Sequence, residues 1–223
     1  MSKTKLKELI LRVVILLGGL VVAHLGVTLF LLADIGSDPF NVLIQGLFRQ
    51  SGNLPGAISG LLTHGRVHIV VCLLIILVLL IVDRSYVRIG TILCMICGGP
   101  IIDFFNWILS PLFAGDISLI VKIIVNVIGC AILAFGMTIV IKSEAGTGPN
   151  DLVAIVISDK LKFKFSIVRV IVDLVFAGVG FILGGTVGLG TIICAFVVGP
   201  VAGLFMPFNE KWIKNLVGKL IKA

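Results

Sequence analysis

Six long apolar runs constrain the fold of this 223-residue chain more than any other feature. The runs cover about 10–33, 67–83, 89–109, 118–141, 166–184 and 188–206. Each is near the ~20 residues with which a helix crosses the hydrocarbon core of a bilayer, and none alternates apolar and polar residues as a strand does. Because a segment in lipid must satisfy its own backbone hydrogen bonds, the runs predict an all-α polytopic membrane protein with six transmembrane helices.

The composition agrees with a single membrane domain over residues 1–223. The chain is 59% hydrophobic and 13% charged, with a mean hydropathy of +1.24, whereas about one quarter of a soluble domain is charged. The opening "MSKTKLKELILR" resembles the start of a signal peptide, but the apolar run behind it is longer than a signal-peptide core and lacks a convincing cleavage site. We therefore expect a retained first helix.

The net charge of +7 is distributed unevenly along the chain. In a six-helix model, fifteen of the 18 Lys and Arg residues flank the runs on one side, while Arg49 and Arg66 fall on the other side and Lys122 lies near an end of the fourth run. Since cytoplasmic loops carry the excess of basic residues, we expect both termini in the cytoplasm. Attraction to anionic lipid explains the basic surplus better than nucleic acid does, so the expected partner is the lipid bilayer.

The chain resembles itself at two offsets. At an offset of 110, the matches are Gly26/Gly136, Thr28/Thr138, Asp34/Glu144, Gly36/Gly146, Ser37/Thr147 and Pro39/Pro149. At an offset of 100, "GTILCMICGGP" from Gly90 matches "GTIICAFVVGP" from Gly190. The matches predict repeat 1 at about 10–109 and repeat 2 at about 118–206, with extra residues near "QSGNLPGAISG" in the first. Each repeat has three spans, and because this number is odd, the second repeat is inverted, as in many secondary transporters.

Each repeat contains one polar break, "ADIGSDPFN" or "SEAGTGPND", after its first run. Pro39 and Pro149 suit the first turn of a new helix, which is too short to span. The polar residues around the two starts are Ser37, Asp38, Asn41, Thr147, Asn150 and Asp151. Two readings remain open: an interfacial helix whose polar residues only cap the backbone, or a re-entrant half-helix whose N-terminus lines a cavity and binds a small polar or anionic solute.

Further polar residues lie inside the runs. Thr28 and Thr138 offer hydroxyls to the same predicted solute path. The candidates for coupling or ion pairing are Asp103, Lys122, Arg169, Asp173 and His24. Asp103 and Lys122 are a candidate ion pair, and Arg169 and Asp173 are four residues apart on one helix face. For each, the alternatives are a structural pair or packing residue and a site that couples transport to protons.

The sequence predicts no enzyme, cofactor or metal site. It contains no G-x-S-x-G, H-E-x-x-H or P-loop motif. All five cysteines lie in apolar runs, and the C-x-x-C formed by Cys94 and Cys97 lacks the further ligands of a metal site. The tail at 207–223 combines apolar residues with four lysines and is typical of an amphipathic interfacial helix.

The stretches "GSDPFN" and "GTGPND" and the paired "GTI…GP" runs resemble the YczE/YyaS/YitT family of bacterial integral membrane proteins, most closely its YczE-like branch. The resemblance implies a small multi-pass protein of the bacterial cytoplasmic (inner) membrane, and it does not indicate a substrate or a cofactor. Our leading hypothesis is a transporter-like permease with a solute cavity between the repeats. The alternatives are a substrate-capture subunit of a multi-component importer, which needs an energising subunit, and a regulatory protein without transport; homo-oligomerisation is left open.

Overall fold

Helices account for all the regular structure of the described residues. The computed structural model describes residues 3–36, 38–52 and 64–222, and these residues form no strands. The α-helices are α1 (Lys3–Ala33), α2 (Pro39–Ser51), α3 (His64–Val82), α4 (Ile89–Leu109), α5 (Leu119–Lys142), α6 (Pro149–Leu161), α7 (Phe165–Ile182) and α8 (Leu189–Lys222). Short 3-10 turns follow α3 and α4. Each predicted apolar run coincides with one helix to within a few residues, except where α1 and α8 extend further.

Within the described parts of the chain, five helices (α1, α4, α5, α7 and α8) are long and apolar enough to cross a membrane. The described apolar part of α3, Val67–Val82, is shorter than these. The prediction of an all-α protein with several membrane-spanning helices is therefore confirmed. That α3 supplies a sixth crossing stays a prediction.

The core of the molecule is the antiparallel packing of α1 on α5. A Cβ at Gly26 would overlap the backbone of Leu133, and a Cβ at Gly136 would overlap the backbone of Ala23. Glycine is needed at both positions because the two backbones touch there. Along the line of contact, residue numbers increase in α1 where they decrease in α5, so the two helices are antiparallel. We call the end of the molecule where α1 leads into α2 the α2 end, and the opposite end, where α5 leads into α6, the α6 end.

The chain leaves α1 and α5 through the same backbone conformation. Positive φ angles occur at Asp34 (49°) and Glu144 (59°), and at Gly36 (138°) and Gly146 (139°). The last two values favour glycine, since side chains clash there. The short helices α2 and α6 then begin at Pro39 and Pro149, and each has 13 residues. The predicted helix starts at these prolines are confirmed, and the broken helices follow from proline's missing N–H donor and fixed φ.

Two backbone hydrogen bonds connect the two halves of the chain. Each joins the break after the first helix of one half (α1 or α5) to the start of the last helix of the other half (α8 or α4). At the α2 end, the Gly190 N–H donates to the Ile35 carbonyl over 2.8 Å. At the α6 end, the Gly90 N–H donates to the Ala145 carbonyl over 2.9 Å. Gly90 and Gly190 differ by 100, and Ile35 and Ala145 by 110, so the two bonds relate equivalent positions of the sequence repeats.

The C-terminal segment differs from the separate interfacial helix that the sequence suggests. The helix α8 continues from Leu189 to Lys222 through Pro200 and Pro207 without a break. Ile213 and Val217 are buried against Ile15 of α1 and against α5. The apolar face of the tail therefore packs on the protein, because α1 extends far enough at the α6 end to cover it.

Candidate functional site

A buried ionic centre joins α6 to α7. Nη1 of Arg169 lies 2.5 Å from Oδ1 of Asp151, and its Nε donates to Oδ2 of Asp173 over 3.0 Å. The exposed fractions of these side chains are 9% for Arg169, 17% for Asp151 and 1% for Asp173. Charges so far from solvent are retained only when they are paired or bound. We use "ionic centre" below for these three residues.

Local sequence explains why these groups meet. Because α6 begins at Pro149, Asp151 lies in its first turn, where a carboxylate is stabilised by the free N–H groups and the helix dipole. The amide of Asn150 donates to Oδ1 of Asp151 over 3.0 Å. Arg169 and Asp173 are one turn apart on the buried face of α7, as their spacing predicts.

Asp38 brings a third carboxylate toward the ionic centre from α2. It caps α2, since its Oδ1 accepts a hydrogen bond from the Asn41 N–H over 3.0 Å, and its Oδ2 accepts one from the Asn41 side chain. Asp38 also interacts electrostatically with Asp173. The first turns of both short helices therefore face the same region of α7.

Three buried side-chain atoms in the described parts of the chain have no hydrogen-bond partner. They are Nδ2 of Asn126, Oγ1 of Thr147 and Oδ1 of Asp173. A buried polar atom without a partner costs about 1–3 kcal/mol, so such atoms point to a bound water, ligand or proton. Sequence reasoning missed Asn126, although a single amide within the apolar stretch "LIVKIIVNVIGC" was a signal for it.

A cavity of about 300 Å³ opens at the α6 end. Its wall includes Ser85, Tyr86, Arg88, Glu144, Thr147 and Leu152. Thr147, whose hydroxyl is unpartnered, is 3% exposed and lies at the break before α6. The cavity therefore combines a polar helix start with apolar residues of α6, which is a common composition for a small-molecule site.

At the α2 end, the loop after α7 packs closely on α2. A Cβ at Gly185 would overlap the carbonyl oxygen of Val42, so the loop after α7 lies directly on α2. The Thr186 N–H donates to the side-chain oxygen of Gln45 over 2.7 Å, and Arg49 donates to Thr186 Oγ1 over 3.2 Å. The two ends are therefore built from equivalent segments but differ in how tightly these segments pack.

The loop between α3 and α4 is held by charged and polar contacts at the α6 end. Hydrogen bonds from Ser85, and next the charge of Lys160, hold the pKa of Asp83 below its usual value. Tyr86 donates to Asp159 over 3.1 Å, and burial followed by this contact raises the pKa of the Tyr86 phenol. These contacts fix one wall of the cavity against the end of α6.

An ion pair between α1 and α5 closes the neighbouring part of the α6 end. Nη1 of Arg12 lies 2.8 Å from the Glu144 carboxylate and donates to the Ser143 carbonyl over 3.1 Å. Arg88 also donates to the backbone carbonyl of Glu144. Glu144 therefore connects α1, α4 and α5 beside the cavity.

The other predicted residues have different surroundings. The Thr28 hydroxyl donates to the His24 carbonyl, and the Thr138 hydroxyl donates to the Phe135 carbonyl, both over 2.8 Å. Nδ1 of His24 lies 2.8 Å from the Leu20 carbonyl. These contacts satisfy the groups within their own helices, and a role in solute binding or proton coupling stays a prediction for each.

Asp103 and Lys122 are not brought together. Asp103 is exposed, and the ion pairs between described side chains do not join it to Lys122. Sequence spacing placed both in the same half of the membrane, but it could not give the direction in which either helix faces. Ser37 lies outside the described residues, as does most of the predicted insertion near "QSGNLPGAISG".

Several helices of bilayer length with polar breaks between them define a multi-pass α-helical membrane protein. The model of DUF6198, a family of unknown function, matches residues 10–207, and the chain belongs to this family. It is similar to "Uncharacterized membrane protein YczE" of Bacillus subtilis (strain 168), with 28% identity over 220 residues, 97% of this chain and 95% of that protein. The expected membership of a YczE-like family is confirmed.

Two further relatives extend the comparison. An "Uncharacterized protein" of Haemophilus influenzae is 29% identical over 194 residues, 86% of this chain and 82% of that protein. "Uncharacterized protein YyaS" of Bacillus subtilis is 24% identical over 194 residues, 86% of this chain and 91% of that protein. No solved structure matches the chain.

Proposed function

We propose that the chain is a small transporter-like permease of the bacterial cytoplasmic membrane, which moves a small polar solute along a path between two inverted three-span repeats. The observation that carries this proposal is the buried ionic centre formed by Asp151, Arg169 and Asp173 where α6 meets α7. Ionisable residues inside a membrane domain are costly and typically mark the path of a solute or ion.

The inverted-repeat part of the proposal is supported by contacts that recur at the sequence offsets. The α1 and α5 helices run antiparallel, and α2 and α6 have equal lengths of 13 residues. The bond from Gly190 to Ile35 has its counterpart in the bond from Gly90 to Ala145. Arg49 of α2 contacts Thr186 in the loop after α7. The equivalent residues of the other repeats, Asp159 of α6 and Tyr86 in the loop after α3, are likewise in contact. Two antiparallel copies that hold each other in this way can exchange conformations, which is the basis of alternating access.

The difference between the two ends suggests which state the structure represents. A cavity borders the break before α6 at the α6 end, whereas at the α2 end the loop after α7 lies directly on Val42 and Gln45 of α2. Basic residues that contact neighbours at the α6 end include Arg12, Arg88 and Lys160. By the positive-inside rule the α6 end is cytoplasmic, so this conformation is the inward-open state of the proposed cycle.

The charges of the centre favour a neutral polar or positively charged solute. Asp38, Asp151 and Asp173 supply three carboxylates, and Arg169 supplies one guanidinium. An anionic solute, which the sequence alone left open, would meet an excess of negative charge in a medium of low dielectric constant. The Asn150 amide and the Thr147 hydroxyl offer further hydrogen bonds to a polar solute near the start of α6.

Reconstitution tests the proposal. The purified protein is incorporated into liposomes, and the uptake of a mixed pool of small polar metabolites is followed by mass spectrometry. Wild-type protein should accumulate at least one solute, and Asp151→Asn should abolish this uptake, while Asp116→Asn, which changes an exposed carboxylate between α4 and α5, should retain it. Equal uptake by liposomes with and without the protein would refute transport by the chain alone. Co-purification of an ATP-hydrolysing subunit would instead favour the importer alternative.

Accessibility tests the assigned sides. In a Cys-less background, Lys162→Cys at the α6 end should react with an impermeant reagent only from the cytoplasmic side. Thr186→Cys at the α2 end serves as the matched position on the opposite face. Reaction of position 162 from outside intact cells would overturn the orientation.

A further inference from the structure

We infer that the ionic centre holds one exchangeable proton, bound at Oδ1 of Asp173. This inference deepens the proposed function, since the proton would be the ion that couples solute movement to the proton gradient. Only the coupling role rests on the proposed function. The presence of the proton follows from the charges and hydrogen bonds of the centre alone.

The charges around Asp173 do not balance. Asp38 and Asp151 both act electrostatically on Asp173, and among the described residues the guanidinium paired with Asp151 and Asp173 is that of Arg169. With all groups ionised, two negative charges would remain uncompensated among these four side chains. Like charges held together away from water do not all ionise, and one carboxyl of such a group retains a proton.

Hydrogen bonds are distributed unequally among the three acids. Both oxygens of Asp38 accept hydrogen bonds from Asn41. Asp151 is 17% exposed and accepts hydrogen bonds from Arg169 and Asn150. Asp173 is 1% exposed, and its Oδ1 has no partner. A bare carboxylate oxygen is more costly to bury than a neutral hydroxyl, so the proton belongs on Asp173.

A metal ion does not fit at this atom. Among the described residues, no group of three or more His, Cys, Asp or Glu side chains could hold a metal ion. Ions such as Ca²⁺ or Mg²⁺ need several oxygen ligands, whereas Oδ1 is fully enclosed and a proton needs no cavity. Among the described residues, the ionisable groups that interact electrostatically with Asp173 are Asp38 at the start of α2, Asp151 of α6, Arg169 of α7 and Cys194 of α8.

Binding or release of this proton changes the contact between α7 and the start of α6. A proton from water adds to Oδ1 and leaves Asp173 neutral, and no covalent bond of the protein breaks. Arg169 then loses one of its two charged partners and keeps Asp151. Since Asp151 belongs to the first turn of α6, uptake or release of the proton changes the strength with which α7 holds the start of this helix.

Infrared spectroscopy of the protein in lipid nanodiscs tests the inference without any solute. A protonated carboxyl has a carbonyl stretch that a carboxylate lacks, and ¹³C-labelling of all aspartates identifies it as Asp. Exposed aspartates are ionised well above about pH 4. We expect one protonated Asp per chain to remain near pH 7 and to be lost as the pH is raised. The band should be absent in Asp173→Asn and unchanged in Asp116→Asn, the matched variant at an exposed aspartate between α4 and α5.

The outcomes separate the proton site from the transport proposal. No isotope-sensitive band near pH 7 in the wild-type protein, or a band that persists in Asp173→Asn, would overturn the inference. If Asp173→Asn does not yield folded protein, Asp173→Glu replaces it, and the band should then become insensitive to ¹³C-aspartate. A band that behaves as expected in a protein that moves no solute in liposomes would support the proton site and refute transport.

Discussion

Replacing Arg169 by methionine is the most direct test of the buried ionic centre. The change removes the guanidinium from Asp151 and Asp173, while a side chain of similar length fills the space. Removing one partner of a buried ion pair typically costs about 3–5 kcal/mol, because the remaining charge is left buried and unpaired. Asp151 is 17% exposed and keeps its bond from Asn150, so most of the cost arises at Asp173, which is 1% exposed. At a pH high enough for Asp173 to have released its proton, we therefore expect a loss of about 3 kcal/mol, the lower part of that range.

The measurement is reversible unfolding in mixed micelles of a mild detergent and SDS. A loss of about 3 kcal/mol lowers the folding equilibrium constant by roughly a hundredfold. The double variant Arg169→Met, Asp173→Asn should recover most of it, because only the partly exposed Asp151 stays unpaired. The loss should shrink as the pH is lowered to neutrality, where the proton bound at Asp173 already removes its charge. Arg49→Met is the matched control at an exposed site, with an expected change within about 1 kcal/mol. A loss of less than about 1 kcal/mol for Arg169→Met, or no recovery of stability in the double variant, would refute the reasoning.

Three further predictions concern packing, hydrogen bonding and pH. Gly136→Ala should lower thermal stability in detergent by about 1–3 kcal/mol, because its Cβ would overlap the backbone of α1, while Gly99→Ala, which meets open space, should not. Thr147→Val removes an unpartnered hydroxyl and should leave stability unchanged or raised, whereas Thr138→Val, which loses a hydrogen-bonded hydroxyl, should cost about 1 kcal/mol in the same assay. The pKa of Asp83 lies below its usual value, so its stabilising effect exists above the unfolded value and is lost as the pH falls through the folded value. The stability difference between wild type and Asp83→Asn should therefore vanish in acid; a difference that grew on acidification would contradict this sign.

The features that the sequence predicted correctly depend on local rules. The lengths of the apolar runs follow from the thickness of the bilayer. The starts of α2 and α6 follow from proline, which lacks the donor needed within a helix. The pairing of Arg169 with Asp173 follows from the helical repeat, because residues four apart share a face. Each of these needs only a short stretch of chain.

The features that could not be predicted depend on how distant helices face one another. The tail of α8 has the composition of an interfacial helix, but Ile213 finds a partner in Ile15, about 200 residues earlier. Asp103 and Lys122 were placed at similar depth, yet the pair does not form. The contact of the ionic centre from Asp151 to Arg169 joins different helices and has no signature in the spacing.

The crossing of α1 and α5 has a mechanical consequence. Where Gly26 and Gly136 lie, the two helices touch through backbone atoms, and a backbone contact has no side chain that can change rotamer. Sliding one helix along the other would drive the Cβ atoms of neighbouring residues into the opposite backbone, so translation is blocked while a small rotation is not. The crossing is therefore a fulcrum. The distances around it should stay constant in every conformation, and movement should grow with distance from it, being largest at the two short helices and the loops that they hold.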